Sequence, residues 1–300
     1  MLIACLLFLS CASGPAPQRQ PRAERDQTRY LNNGVVMYTM GCYARAMENF
    51  NEAHERYALV DDLEGEANSL NGIANTYYRL GDIHSALLVY DDALDLYTIL
   101  NQREGLTRTM VDKAAALIEA DRLDEASAML DRADAQAGGE MAAQRFRARA
   151  LVALARKEFS SARGLLEKAL AAAQGSASSV VSSIYFAQGH LALVSETPRE
   201  ALKPLHTALD MDRRAGAHAD IAKDLEALAQ CQRKLGKDHQ ALAYLVRSVK
   251  IHALLGDARR VGTIVPEMEQ LSAKTGIDIH ATLHWVNQWL SGKSESHLCR

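Results

Sequence analysis

The chain has 300 residues, 48% hydrophobic and 24% charged, with a formal net charge of −3. That composition is globular rather than disordered, and the near balance of charge gives no strong pull toward nucleic acid. Aromatics at 6%, few prolines and alanine at about one residue in six indicate an all-α chain of closely packed helices, and no apolar run approaches the roughly 20 residues of a membrane-spanning helix.

The first segment reads MLIACLLFLSCASGPAPQRQPR. A short apolar stretch meets a small-residue boundary and then a Pro-rich segment, the pattern of a secretory signal. The quartet Phe8-Leu9-Ser10-Cys11 resembles a bacterial lipobox. That resemblance implies a signal peptide over 1–10, a lipidated Cys11, and a flexible tether over 11–25. It also implies a lipid anchor on the periplasmic side of the outer membrane. The alternative is an unprocessed apolar tail on a cytoplasmic protein. Cys42, Cys231 and Cys299 would remain, an odd set at distant positions with no obvious disulfide framework.

From residue 26 the chain repeats itself. GCYARAMENFNEA from Gly41 aligns with GDIHSALLVYDDA from Gly81 and DRLDEASAMLDRA from Asp121. The frame continues in KEFSSARGLLEKA, ETPREALKPLHTA and GKDHQALAYLVRS. A key alanine recurs at Ala46, Ala86, Ala126, Ala162, Ala201 and Ala241. Large apolar and small residues follow it at spacings of four and three, which share one helix face. A small residue lies twelve positions before each: Gly34, Ala74, Ala114, Ala150, Gly189 and Ala229.

These residues resemble the tetratricopeptide repeat family, whose unit is two antiparallel helices, A and B. The resemblance implies an α-solenoid, a right-handed superhelix of about six helical hairpins over 26–255. The usual spacing of 40 exceeds the family's, and the surplus is expected in the junction from helix B to the next helix A. Asp121, Lys157 and Glu196 stand where the family has a turn glycine. Ala137-Gly138-Gly139 and Gln174-Gly175-Ser176 read as breaks in the array. Residues 256–291 read as capping helices, with an Ile279, Leu283, Val286, Leu290 stripe, and 292–300 as a disordered tail.

No catalytic motif stands out, and the segments flanking the repeats are too short for a catalytic domain. His280 and His284 are four apart, as metal ligands can be, but no third ligand is apparent, so they read as the polar edge of the cap. Neither cofactor nor small-molecule substrate is expected. Binding remains: in the resembling family the A helices line a concave face that holds a protein or peptide. Here that face would carry Asn71, Asn75, Tyr78 and Arg79 in the second repeat, Arg108 in the third and Tyr38 in the first, with Asn68, Phe186 and His190 as lesser candidates. The functional expectation is a membrane-anchored adaptor in an envelope assembly, a pilus, secretion or cell-wall machinery. The alternative is a cytoplasmic peptide-responsive regulator, and last an enzyme with a cryptic metal site.

Overall fold

The computed structural model describes residues 22–133, 139–291 and 299. Among these the secondary structure is wholly helical. Six hairpins follow one another: α1 (Arg22–Met40) with α2 (Tyr43–Ala58), α3 (Leu63–Leu80) with α4 (Ile83–Ile99), and α5 (Arg103–Glu119) with α6 (Leu123–Arg132). Then come α7 (Gly139–Ala155) with α8 (Phe159–Ala172), α9 (Ser178–Val194) with α10 (Pro198–Ala215), and α11 (His218–Lys234) with α12 (Asp238–Leu254). A further pair, α13 (Ala258–Thr275) and α14 (His280–Leu290), closes the array. Cys11 and residues 134–138 lie outside the described residues, and α1 begins within the segment expected to be tether.

The register has a steric cause. All six key alanines are fully buried. A Cβ at Gly34 would lie 2.6 Å from the Phe50 ring, and one at Gly189 would lie 2.4 Å from Leu205. Between consecutive units, Tyr57 fills the space over Gly65, and Tyr97 the equivalent space over Gly105. The burial of α13 and α14 continues the array: Ile279 and Val286 are buried with α12 and α13 residues, while Trp285 stays 54% exposed.

The turns are metrical. Gly41, Asp61, Gly81, Asn101 and Asp121 fall 20 residues apart, each with positive φ. Gly139, Lys157 and Gly175 follow at intervals of 18, then Glu196, Gly216, Gly236, Gly256 and Gly276. Both kinds of turn, within and between hairpins, therefore use one left-handed residue. This corrects two expectations. The surplus over the family's repeat length is not in the junctions, since only 59–62 separate α2 from α3; it lengthens the helices instead. Nor does Gly175 break the array, because it sits at an ordinary junction between hairpins, whereas the break expected at Ala137-Gly138-Gly139 falls largely outside the described residues.

The superhelix closes on itself. The turn at Gly41 meets α11, where an added Cβ would lie 2.7 Å from the Ala219 Cβ. Arg79 at the end of α3 donates from Nη2 to Asp220 Oδ1 of α11 at 2.7 Å, across 141 residues of sequence, and from Nε to the Tyr43 hydroxyl at 2.6 Å. Cys42 is disulfide-bonded to Cys299, a pairing that the spacing of the cysteines did not reveal, and the rest of the expected tail after residue 291 lies outside the described residues. Cys231 is a free, buried thiol whose Sγ reaches the Pro198 carbonyl.

Candidate functional site: a charged lumen

Closure turns the concave face into a chamber of about 320 Å³. It is lined almost entirely from the first helix of each hairpin: Tyr38 (α1), Asn75, Tyr78 and Arg79 (α3), Asp112 (α5), Arg147 and Leu151 (α7), Phe186 and His190 (α9), and Asp220, Lys223 and Asp224 (α11). Asp212 enters from α10. Lining residues recur at spacings of three and four, as from Asn75 to Tyr78 and Arg79 or from Asp220 to Lys223 and Asp224, so each helix offers one stripe to the axis.

The asparagine row of α3 is already engaged. Asn75 Nδ2 donates to Asp112 Oδ2 at 3.2 Å, and Asn71 Nδ2 reaches the same oxygen at 3.4 Å. The Tyr90 hydroxyl donates to Asn75 Oδ1, and that of Tyr97 to Asn68 Oδ1, both at 2.8 Å. These amides tie α3 to α4 and α5, with Asn71 turned away from the chamber and nearly buried. Of the residues named from the sequence, Tyr38, Asn75, Tyr78, Arg79, Phe186 and His190 come together around the chamber. Arg108 instead donates to Glu104 on its own helix at 2.6 Å, half-exposed, outside the lining. His280 pairs with Asp278, and no cluster of three metal-ligating side chains exists among the described residues.

Charges in the lumen are strongly perturbed. Burial raises the Asp112 carboxyl above its usual range, against the two amides that lower it. Burial lowers Arg147, Lys223 and His190, with the Arg79 charge adding to the effect on Lys223 and the Lys223 charge to that on His190. Asp220 is pushed up by burial, but the Arg79 guanidinium and then Lys223 outweigh this and hold it below its ordinary value. Asp224 is driven up to about 9 by burial and by the charge of neighbouring Asp212. Two carboxylates in contact out of water cannot both ionise cheaply.

Two buried polar atoms of this wall have no hydrogen-bond partner among the described residues, Arg147 Nε and Asp224 Oδ2. Native interiors satisfy nearly all such groups. A lumen that leaves a donor and an acceptor unspent can accept polar groups from outside.

Arg147, Asp112, Asp212, Asp220, Lys223 and Asp224 were not picked out from the sequence. For the inner-helix residues the register gives no consistent signal, because the same places in other repeats hold residues outside the lining. Arg147 and Phe186 stand fifteen residues before their key alanines, the place of Asn71, and Lys223 stands eighteen before, the place of Asn68 and Arg108. Asp212 occupies the junction position where Tyr57 and Tyr97 pack over glycine, so a charge there departs from the array's own packing rule.

Residues 26–99 match the family model described as Tetratricopeptide repeat. Among solved structures, the Rap conjugation gene regulator of plasmid pLS20, in complex with the Phr* peptide, is 15% identical with a TM-score of 0.61. The match covers 90% of this chain and 74% of that one. Rap protein complexed with Competence and Sporulation Factor is 14% identical with a TM-score of 0.58, covering 84% of this chain and 78% of that one. The Cut9–Hcn1 structure of the APC/C hetero-tetramer gives a TM-score of 0.55 at 14% identity, covering 83% of this chain but 43% of that one. Likeness at such identity speaks for the fold. No curated protein matches the sequence.

Proposed function

We propose that this chain, a tetratricopeptide-repeat protein, is a binding module that takes a short peptide segment into its closed lumen, and that it is not a catalyst. The observation that carries this is the stripe of polar side chains from six inner helices converging on one chamber, with Arg147 Nε and Asp224 Oδ2 unspent. A volume of about 320 Å³ sits at the lower end of the range for small-ligand cavities, about 300–1,000 Å³, and suits a few residues of extended chain rather than a folded partner. The peptide in the Phr* complex named above supports the reading by likeness of fold alone. The test is affinity selection of a random pentapeptide pool on the folded protein, with Tyr78→Ala as the comparison. Retention by the wild type and loss in the variant are expected, since tyrosine is among the residues whose truncation at binding hot spots costs about 2 kcal/mol or more.

The module is further proposed to be anchored to the outer membrane through a lipid on Cys11, serving an envelope assembly. The lipobox-like quartet supports this, and so does the Cys42–Cys299 disulfide, a bond that persists in oxidising compartments and is rare in the cytoplasm of mesophiles. The second reading, a cytoplasmic peptide-responsive regulator, is favoured by the likeness of fold to the two Rap complexes. Differential alkylation of the protein from its own cells separates the two. Cys42 and Cys299 protected together, with palmitate incorporated at Cys11, supports the envelope; free thiols and no palmitate support the cytoplasm.

A further inference from the structure

The wall formed by α9, α10 and α11 has a feature that peptide binding in general does not require. Asp212 and Asp224 lie side by side, 4% and 1% exposed, within hydrogen-bonding reach of each other. Few buried carboxylates go without a cation or a set of donors. The groups facing this pair are Ser182 from α9, Asp220 and Lys223 from α11, and Arg79 from α3. Arg79 is committed to Asp220 and Tyr43, and the Lys223 ammonium stands 5.5 Å from the centre of the Phe186 ring. Neither is within ion-pair distance of Asp212 or Asp224, so the pair has no cation of its own among the described residues. Burial raises both carboxyls above the usual range, Asp224 further by the charge of Asp212, which favours one proton shared by the pair, and Asp224 Oδ2 has no donor among the described residues on the lumen wall.

Resting on the lumen reading above, we propose that Asp212 and Asp224 form the subsite for a cationic group of the bound peptide, a guanidinium or a primary ammonium, which displaces the shared proton to solvent. The exchange balances: one positive charge enters as one proton leaves, and the dyad goes from singly to doubly ionised. A planar guanidinium suits the pair best, because it can donate to both carboxylates at once. Since the empty dyad keeps its proton up to about pH 9, uptake of the cation releases a proton at neutral pH. Affinity for basic peptides therefore rises with pH, toward a tenfold gain per unit while the bound dyad stays fully ionised.

The probe is an equimolar random pentapeptide pool selected on the full chain at pH 6.5 and pH 8, read by mass spectrometry. One retained arginine peptide and its citrulline counterpart, isosteric but uncharged, are then measured by calorimetry in phosphate and in Tris. Enrichment of arginine and lysine that grows with pH is expected, with the citrulline peptide at least tenfold weaker. Heats that differ between the two buffers would report the released proton. Asp212→Asn/Asp224→Asn, checked for folding by circular dichroism, should erase the preference for arginine and lysine in whatever pool it retains, and with it the difference in heat between the two buffers. Peptides retained without basic enrichment, or with equal affinity for arginine and citrulline, overturn the cation subsite and leave the lumen reading standing. No peptide retained overturns the lumen reading, and the subsite with it.

Discussion

Lys157 and Glu196 hold φ of 62° and 59° in turns where most other hairpins use glycine and one uses Asp121. A left-handed conformation costs a residue with a Cβ about 1–2 kcal/mol, and neither side chain has the local hydrogen bonding that lets Asp and Asn tolerate it. Lys157→Gly and Glu196→Gly should each raise stability by about 0.5–1 kcal/mol, after the greater unfolded-state freedom of glycine is set against the relieved strain. Denaturant titration would show it; an unchanged midpoint would mean that the helix ends relax the strain. Asp224 offers a second test. Its pKa is raised on folding, so the native state binds the proton more tightly than the unfolded chain does, and stability falls as pH climbs from the unfolded carboxyl value near 4 toward about 9. Asp224→Asn removes that liability. Its advantage over wild type should be absent near pH 4 and widen through pH 8 in parallel thermal melts.

Within a hairpin, the alanine at the crossing decides how near the two helices approach. Ala86 is fully buried against the α3 side, whereas Ala44, on the first turn of α2, is exposed. Ala86→Phe should cost about 1–3 kcal/mol by overpacking, while Ala44→Phe should leave the melting temperature nearly unchanged. This contrast was legible in the sequence, because alanines, large apolar residues and small residues repeat at helical spacings through six units. The lumen was half legible. Tyr38, Asn75, Tyr78 and Arg79 could be placed by their spacing from the key alanine, but their use could not. Asn75 spends both ends of its amide on Tyr90 and Asp112, and no local pattern announces a partner 37 residues away. Arg108 shows the converse error: a charge on the expected face was satisfied by Glu104 one turn earlier on its own helix. The acidic dyad depends on α10 and α11 meeting, which spacing within one helix cannot report.

At the scale of the molecule, closure rests on two ties: the Arg79–Asp220 pair, 19% and 41% exposed in their side chains, and the Cys42–Cys299 bond. The ion pair is partly solvated, so its worth is modest, but its pH dependence has a definite sign. The Asp220 pKa is depressed on folding, so this contribution is present above the unfolded carboxyl value near 4 and is lost as pH falls below it. With the disulfide reduced, acidification through that range should expand the radius of gyration in X-ray scattering while helicity by circular dichroism persists. A constant radius would show that apolar contacts alone hold the ring. The two ties also carry a numerical constraint. An open solenoid tolerates gain or loss of a unit, since each unit touches only its neighbours. Here each partner must arrive opposite the other after one full circuit, so unit copy number is pinned as tooth count is in a closing gear. Excising residues 82–121 should leave well-formed hairpins that no longer meet, with Cys42 and Cys299 reacting as ordinary thiols.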